Sequence, residues 1–292
     1  MEPTMHDIDV KTEVSHVEDA KPQEILETRF VCDRNRLKTM RKFWKPLLFC
    51  MMVNWAALND GFQNQLPGNI IANSGFIHTM ANSVVDGSPA ISSNVISLWG
   101  GIGAVAQTIG QAVGATSSDY IGRKGAMWMF AILFLASSGV SIGASNWKVW
   151  LGAKVLNQLA LGIAISTIVT YLSEVAPFQL RGMMMGSYQL MFGIGQFIGS
   201  IATQVLQDTN PEKWRPTIAS EFVITGIFVI FLIFVPESHY YYARKGQDEK
   251  AKKVMRRVYG NIEDYDVDYE YLVIEQSLQH EKSLHHLQHQ AD

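Results

Sequence analysis

Two stretches of this chain, Val155 to Ser173 and Gly182 to Gln207, contain no charged residue, and a short polar hinge carrying Glu174 and Arg181 joins them. Uncharged runs of about 18 residues or more are long enough to cross the hydrocarbon core of a bilayer. In lipid, a helix satisfies its own backbone polar groups, so these runs read as membrane-spanning helices. The hinge is then a corner between two spans.

The net charge of -3 over 292 residues excludes a strongly basic nucleic-acid binder. It also averages over a segregation: charge gathers toward the two ends, while the middle is apolar and rich in Gly, Met, Phe and Trp. That pattern marks a membrane protein with polar tails. Cys32 and Cys50 offer no disulfide framework, and Cys50 reads as a small core residue. The first 28 residues are polar and mostly acidic, so they are not expected to act as a cleavable signal peptide.

The hydropathy pattern predicts six spans. They run from about Phe43 to Gln65, Asn94 to Thr116, Ala126 to Ala144, Val149 to Leu172, Met183 to Leu206 and Pro216 to Val235. Pro67 and Gly68 are expected to stop the first, and the loop from there to Ser92 has no Lys or Arg. Basic residues flank the set on both sides, from Arg34 to Lys45 and from Arg244 to Arg257. Basic flanks favour the cytosolic face, so both termini are expected there, with the hinge and the return from Asp119 to Lys124. The domain reading is a tail over 1–42, a six-span bundle over 43–236 and a cytosolic helical tail over 237–292. In that last part, Ala251, Val254, Met255 and Val258 share a helix face over 247–259, and Tyr271, Ile274 and Leu278 form a weaker stripe over 267–287.

Candidate chemistry is sparse. Gly101, Gly103 and Ala106 carry the letters of a dinucleotide fingerprint, but no strand precedes them. The pairs Gly110 with Gly114, Gly139 with Gly143 and Gly195 with Gly199 read better as surfaces for close helix approach. His280, His285, His286 and His289 have metal-ligand spacing without acidic or Cys company, and read as a solvated helix end. No nucleophile with a base, metal cluster or phosphate loop is apparent, so neither an enzyme nor a metal or cofactor is expected.

Charges inside spans are a sharper signal, since each costs roughly 2.5 to 3.5 kcal/mol at a helix centre. At a rise of about 1.5 Å per residue, Asp60 in span one and Lys154 in span four lie at similar depths, each roughly 10 Å from the outer face. An ion pair between them is expected, serving either to glue the two helices or to couple protons. Glu221 has no obvious partner and is expected near the outer interface.

The motifs then follow a known order. The return after span two, with Ala115, Asp119, Tyr120, Gly122, Arg123 and Lys124, resembles G-x-x-x-D-R-x-G-R-R/K with the first Gly and the Arg after Asp replaced. The hinge resembles P-x-Y-x-S-E-x-A-P-x-x-x-R-G through Tyr171, Ser173, Glu174, Ala176, Pro177, Arg181 and Gly182, with Val169 in place of the first Pro. Pro236, Glu237 and Ser238 look like P-E-S-P-R, departing at His239 and Tyr240. On these motifs the chain resembles the sugar-porter family of the major facilitator superfamily, in the hexose and maltose type found in fungi.

The resemblance implies an all-α membrane protein with a six-transmembrane-helix bundle, the N-terminal half of a two-bundle fold. It implies transport of a small-molecule sugar by alternating access at the midplane, with protons as co-substrate and the plasma membrane bilayer as surroundings. Asp60 and Lys154 become the proton-coupling pair, and Gln189 and Gln196 the substrate contacts. Asp119, Arg123, Glu174, Arg181 and Glu237 become an inner-face salt-bridge network that locks the two bundles. A second six-span half or a homodimer is the expected partner; the alternative is a truncated membrane protein that transports nothing.

Overall fold

The structure is a computed structural model that describes residues 36–291 apart from residues 86, 263 and 264, with side chains from 38 to 280 and at 283. The acidic tail, Cys32, Arg34 and the side chains of His285, His286 and His289 lie outside the described residues.

Six long helices form the body: α2 (Trp44–Ile70), α4 (Ser93–Ile121), α5 (Arg123–Ile142), α6 (Trp147–Val175), α7 (Arg181–Thr209) and α8 (Arg215–Phe234), preceded by α1 (Arg36–Lys42). Three of them, α5, α6 and α8, are long and apolar enough to cross a membrane on length and composition alone. The other three are also long, at 27 residues for α2 and 29 each for α4 and α7. Their Gly, Ser, Thr, Asn and Gln content lowers their hydropathy. Much of that polarity serves packing: Asn54, Asn59, Asp60 and Gln63 of α2 and Thr203 of α7 are all buried.

Two glycine crossings set the geometry. Where α2 meets α7, a Cβ on Gly61 would strike the Phe192 carbonyl, and a Cβ on Gly195 the Leu58 carbonyl. Where α4 meets α6, Gly162 lies on the Gln107 carbonyl and Gly110 on the Leu159 carbonyl. In each case the glycine touches the residue three positions before its partner glycine, so the two crossings repeat one design. Exchanging α2 with α6, α4 with α7 and α5 with α8 maps the principal packed pairs onto themselves, as an internal repeat of three helices requires. Gly139 and Gly143 meet no other helix and are not part of a crossing.

Helix ends follow local chemistry. Asn146 caps α6 by accepting from the Lys148 and Val149 amides, both at 3.0 Å. Gly122, at φ +90°, turns the chain from α4 into α5. The expected stop at Pro67 does not occur, and α2 continues to Ile70. Its last turn is tied to α7 instead: Asn69 donates to Thr203 at 3.0 Å, and Gln207 donates to the Asn69 carbonyl at 3.3 Å.

The segment from Pro67 to Ser92, read as a loop, holds a short helix α3 (Ser74–Met80) and a hairpin of β1 (Ser83–Val85) with β2 (Ser88–Ala90). Asn73 caps α3, whose Phe76 and Met80, one turn apart, are fully buried. The Phe76 ring meets Trp99, Trp150 and Trp214 edge to face at 4.9 to 6.2 Å. This aromatic plug fills the end of the bundle opposite the hinge.

Beyond α8, α9 (His239–Arg244) and the amphipathic α10 (Asp248–Tyr259) return to the hinge end, with Ala251, Met255 and Val258 buried. α11 (Val267–Ala291) belongs to a separate compact unit, and its stripe of Tyr271, Ile274 and Leu278 is buried.

Candidate functional site

The hinge end gathers most of the charged motif residues. Arg123, the first residue of α5, is 1% exposed and grips Glu174 of α6 bidentately, through Nε at 3.0 Å and Nη2 at 2.7 Å. Its Nη1 reaches the Ser118 carbonyl at 3.0 Å and Asp119 at 3.1 Å. Ser238 donates a short hydrogen bond to Glu174. The fork geometry matches the carboxylate and satisfies both partners in a buried place.

Glu237 enters the same network through the backbone. Its carboxylate accepts from the amides of Arg123 at 2.8 Å, Lys124 at 3.1 Å and Ser238 at 2.9 Å. A carboxylate at these first amides satisfies orphan N–H groups and complements the dipole of α5. The absence of a Cβ at Gly122 makes room for it. Burial pushes the Glu237 carboxyl above its ordinary range, and the three amide hydrogen bonds oppose that shift. Reciprocally, Arg257 at 2.8 Å and Lys124 at 3.3 Å donate to the last carbonyls of α8. Tyr171 donates to the Pro236 carbonyl at 3.1 Å, pinning this connection to α6.

Of the five residues read as an inner-face network, Asp119, Arg123, Glu174 and Glu237 are thus brought together. Arg181 is not: among the described residues it pairs with no carboxylate, and its guanidinium lies over the Phe178 ring at 5.8 Å. Ser238 and the Tyr171 hydroxyl were missed as functional members, although both lie inside the quoted motifs. His239, where the motif has Pro, is 3% exposed between the rings of Tyr240 and Tyr259. Burial holds its imidazole down at about 4.

The mid-bundle charges are arranged differently from expectation. Asp60 and Lys154 form no ion pair. Asp60 accepts from Tyr188 of α7 at 3.1 Å and from Asn64 at 2.9 Å. The reason is rotational: Asp60 precedes Gly61, whose contact with Phe192 turns this face of α2 toward α7. Lys154 instead lies over the Trp150 ring at 5.9 Å and interacts electrostatically with Glu221 of α8. Glu221 is 2% exposed and accepts from Ser138 at 2.6 Å, so it has the partner that the sequence did not suggest. A buried polar chain continues this cluster, with Asn157 donating to Ser137 at 3.3 Å and Asn59 to Thr225 at 3.1 Å.

Gln189 and Gln196 stand two turns apart on one stripe of α7, the first exposed and the second half-buried. Neither side chain is hydrogen-bonded within the described residues, which leaves both amides available to a ligand. No group of three His, Cys, Asp or Glu residues with metal-binding geometry occurs among the described residues.

A profile of the family described as sugar (and other) transporters matches residues 17–291. The human proton myo-inositol cotransporter is 28% identical over 216 residues, which is 71% of this chain and 33% of that protein. The galactose-proton symporter of Escherichia coli K12 is 35% identical over 153 residues, 51% of this chain and 32% of that one. The matched region is thus about a third of the length of these curated relatives. Among solved structures, the proton:xylose symporter XylE bound to 6-bromo-6-deoxy-D-glucose superimposes with a TM-score of 0.68 at 19% identity, covering 80% of this chain and 53% of that one. A partially occluded inward-open form of the xylose transporter XylE from E. coli gives a TM-score of 0.65, covering 82% and 60%. That likeness establishes the fold: a mostly helical bundle of the major facilitator type.

Proposed function

The chain belongs to the sugar (and other) transporter family, and from that premise we propose that it supplies one six-span bundle of a proton-coupled transporter for a sugar or cyclitol. The spans are α2, α4, α5, α6, α7 and α8, and the hinge end faces the cytosol. Substrate passes between this bundle and a second one, with Gln189 and Gln196 offering amide hydrogen bonds to its hydroxyls.

The observation that carries proton coupling is the setting of Asp60. It is a buried carboxylate in α2, and its partners among the described residues are the neutral donors Tyr188 and Asn64. A carboxylate without a fixed cation can take up a proton without leaving an opposite charge stranded in the interior. Protonation converts it from acceptor to donor, which changes its bond to the Tyr188 hydroxyl and hence the α2 to α7 contact. Lys154 and Glu221 form a second protonatable couple beside it, on the α6 to α8 side. The proton function assigned to Asp60 and Lys154 thus divides between two clusters.

The hinge-end network holds the bundle's own loops together through Arg123 and Glu174 and leaves Arg181 available. In the outward-open state Arg181 meets an acidic group of the second bundle.

Labelled-sugar uptake by proteoliposomes, with and without an inward proton gradient, tests this reading. Asp60→Asn is expected to lower gradient-driven accumulation at least tenfold while sugar exchange at equilibrium continues. Unchanged accumulation rejects the coupling role, and no uptake by the unsubstituted protein under any gradient rejects transport by this chain.

A further inference from the structure

The hinge end contains a cavity of about 390 Å³, a size in the lower part of the roughly 300–1,000 Å³ range of small-molecule sites. Three guanidinium groups, those of Arg123, Arg181 and Arg244, line it together with two carboxylates, Asp119 and Glu174. One positive charge is therefore in excess. Arg123 is fully engaged by Glu174, Asp119 and the Ser118 carbonyl. Arg244 reaches Asp119 at 3.7 Å and is 42% exposed.

Arg181 is the residue left over. Its Nε is buried and has no hydrogen-bond partner, and the Phe178 ring covers one face of the guanidinium. Ser118, another lining residue, is 3% exposed and its hydroxyl also has no partner. Buried polar groups are nearly always satisfied, so two orphan donors lining one cationic cavity mark a place for an absent acceptor. The Thr170 and Ser173 hydroxyls of the wall already donate to the Ser166 and Thr170 carbonyls at 2.8 and 2.7 Å, so the open donors are those of Ser118 and Arg181.

We propose that this cavity binds a phosphate-bearing anion, with Arg181 and Arg244 donating to its oxygens and the Ser118 hydroxyl supplying a further bond. A guanidinium fork pairs with two phosphate oxygens at once, and a tetrahedral group keeps further oxygens for a serine and a second arginine, which a planar carboxylate does not. The phosphate comes either from a lipid headgroup of the adjoining leaflet or from solution. The regulatory consequence rests on the function proposed above: phosphate and an acidic group of the second bundle compete for Arg181, so occupancy favours the inward-open state. Binding itself does not depend on transport.

The test uses the full chain in phospholipid-free detergent titrated with inorganic phosphate, followed by calorimetry. Parallel nanodiscs of phosphatidylcholine with and without phosphatidic acid are followed by thermal unfolding. Saturable phosphate binding is expected, weakened at least tenfold by Arg181→Gln and less by Arg181→Lys, with Ser118→Ala also weaker and the exposed control Lys253→Gln unchanged. Stabilisation by phosphatidic acid that Arg181→Gln abolishes, without binding of free phosphate, supports the site and identifies the lipid as its source. No response to either probe, or equal responses in Arg181→Gln and Lys253→Gln, overturns the proposal. An unfolding midpoint for each variant without ligand separates lost binding from lost fold. Because no arm measures uptake, failure here leaves the transport reading standing, and failure of transport leaves this one standing.

Discussion

At the hinge end, Arg123 and Glu174 meet in a bidentate contact whose remaining atoms are taken by Ser118, Asp119 and Ser238. In mid-bundle, Lys154 and Glu221 interact electrostatically without forming an ion pair, with a serine hydroxyl on the carboxylate and a tryptophan ring under the ammonium. Both clusters are buried, so the difference is one of geometry. A fork-on-carboxylate contact with every partner supplied holds one ionic state, because any change of protonation strands the other charge. Glu221 keeps its serine hydrogen bond in either state, since the hydroxyl rotates from donor to acceptor, and the ammonium opposite is not in direct contact, so a change of protonation disturbs less than it does in the fork. The first arrangement suits a fixed joint, and the second suits a group that changes charge during a cycle.

Breaking the fixed joint is expected to have the largest effect. Arg123→Gln leaves Glu174 buried without its cation, and removing one partner of a buried pair costs about 3–5 kcal/mol. Denaturant titration in detergent is expected to show that loss, with Arg123→Lys falling between the two because it keeps the charge and loses the fork. A loss under about 1 kcal/mol places this pair with ordinary surface ion pairs and removes the contrast with mid-bundle.

The second effect follows from His239, beside Ser238 of the same joint. Its folded value of about 4 lies below the ordinary value near 6.5, so the unfolded chain binds a proton first as pH falls. The stability contributed by the neutral imidazole is complete above about pH 6.5 and is lost progressively down to about pH 4. Between pH 8 and pH 5 the loss is about 2 kcal/mol. Unfolding midpoints measured across that range should fall more steeply for the native protein than for His239→Phe. Equal slopes would show that the imidazole is not held neutral.

Much of this was legible in the sequence, for identifiable reasons. Long uncharged runs leave few alternatives to helix, and Glu174, Arg123 and Glu237 sit in motifs whose spacing fixes them at helix ends, where partners are close. Pro67 misled because proline forbids one amide bond, while the Asn69 and Gln207 contacts with α2 and α7 hold the following turn helical. The Asp60 and Lys154 pairing failed because depth along a helix was read from residue number while rotation about its axis was not. The rotational signal lies in Gly61, since a glycine next to a buried charge shows which neighbour that face approaches. The α3 plug was missed because a seven-residue helix has too few turns to show a period, although Asn73, Phe76 and Met80 carried its cap and its face.

The smallest expected effect sharpens the contrast most. Lys154→Met alone leaves the Glu221 carboxylate buried opposite an apolar chain, and Glu221→Gln alone leaves the ammonium without its counter-charge. Replacing both removes the opposed charges together. The double variant is therefore expected to lose less stability than the two single losses combined, by about 1 kcal/mol, at the low end for interacting neighbours because the groups are not in direct contact. The same cycle on Arg123 and Glu174 should give a coupling several times larger. If the two couplings are equal, the mid-bundle couple is as fixed as the hinge joint, and the role of a group that changes charge falls to Asp60 alone.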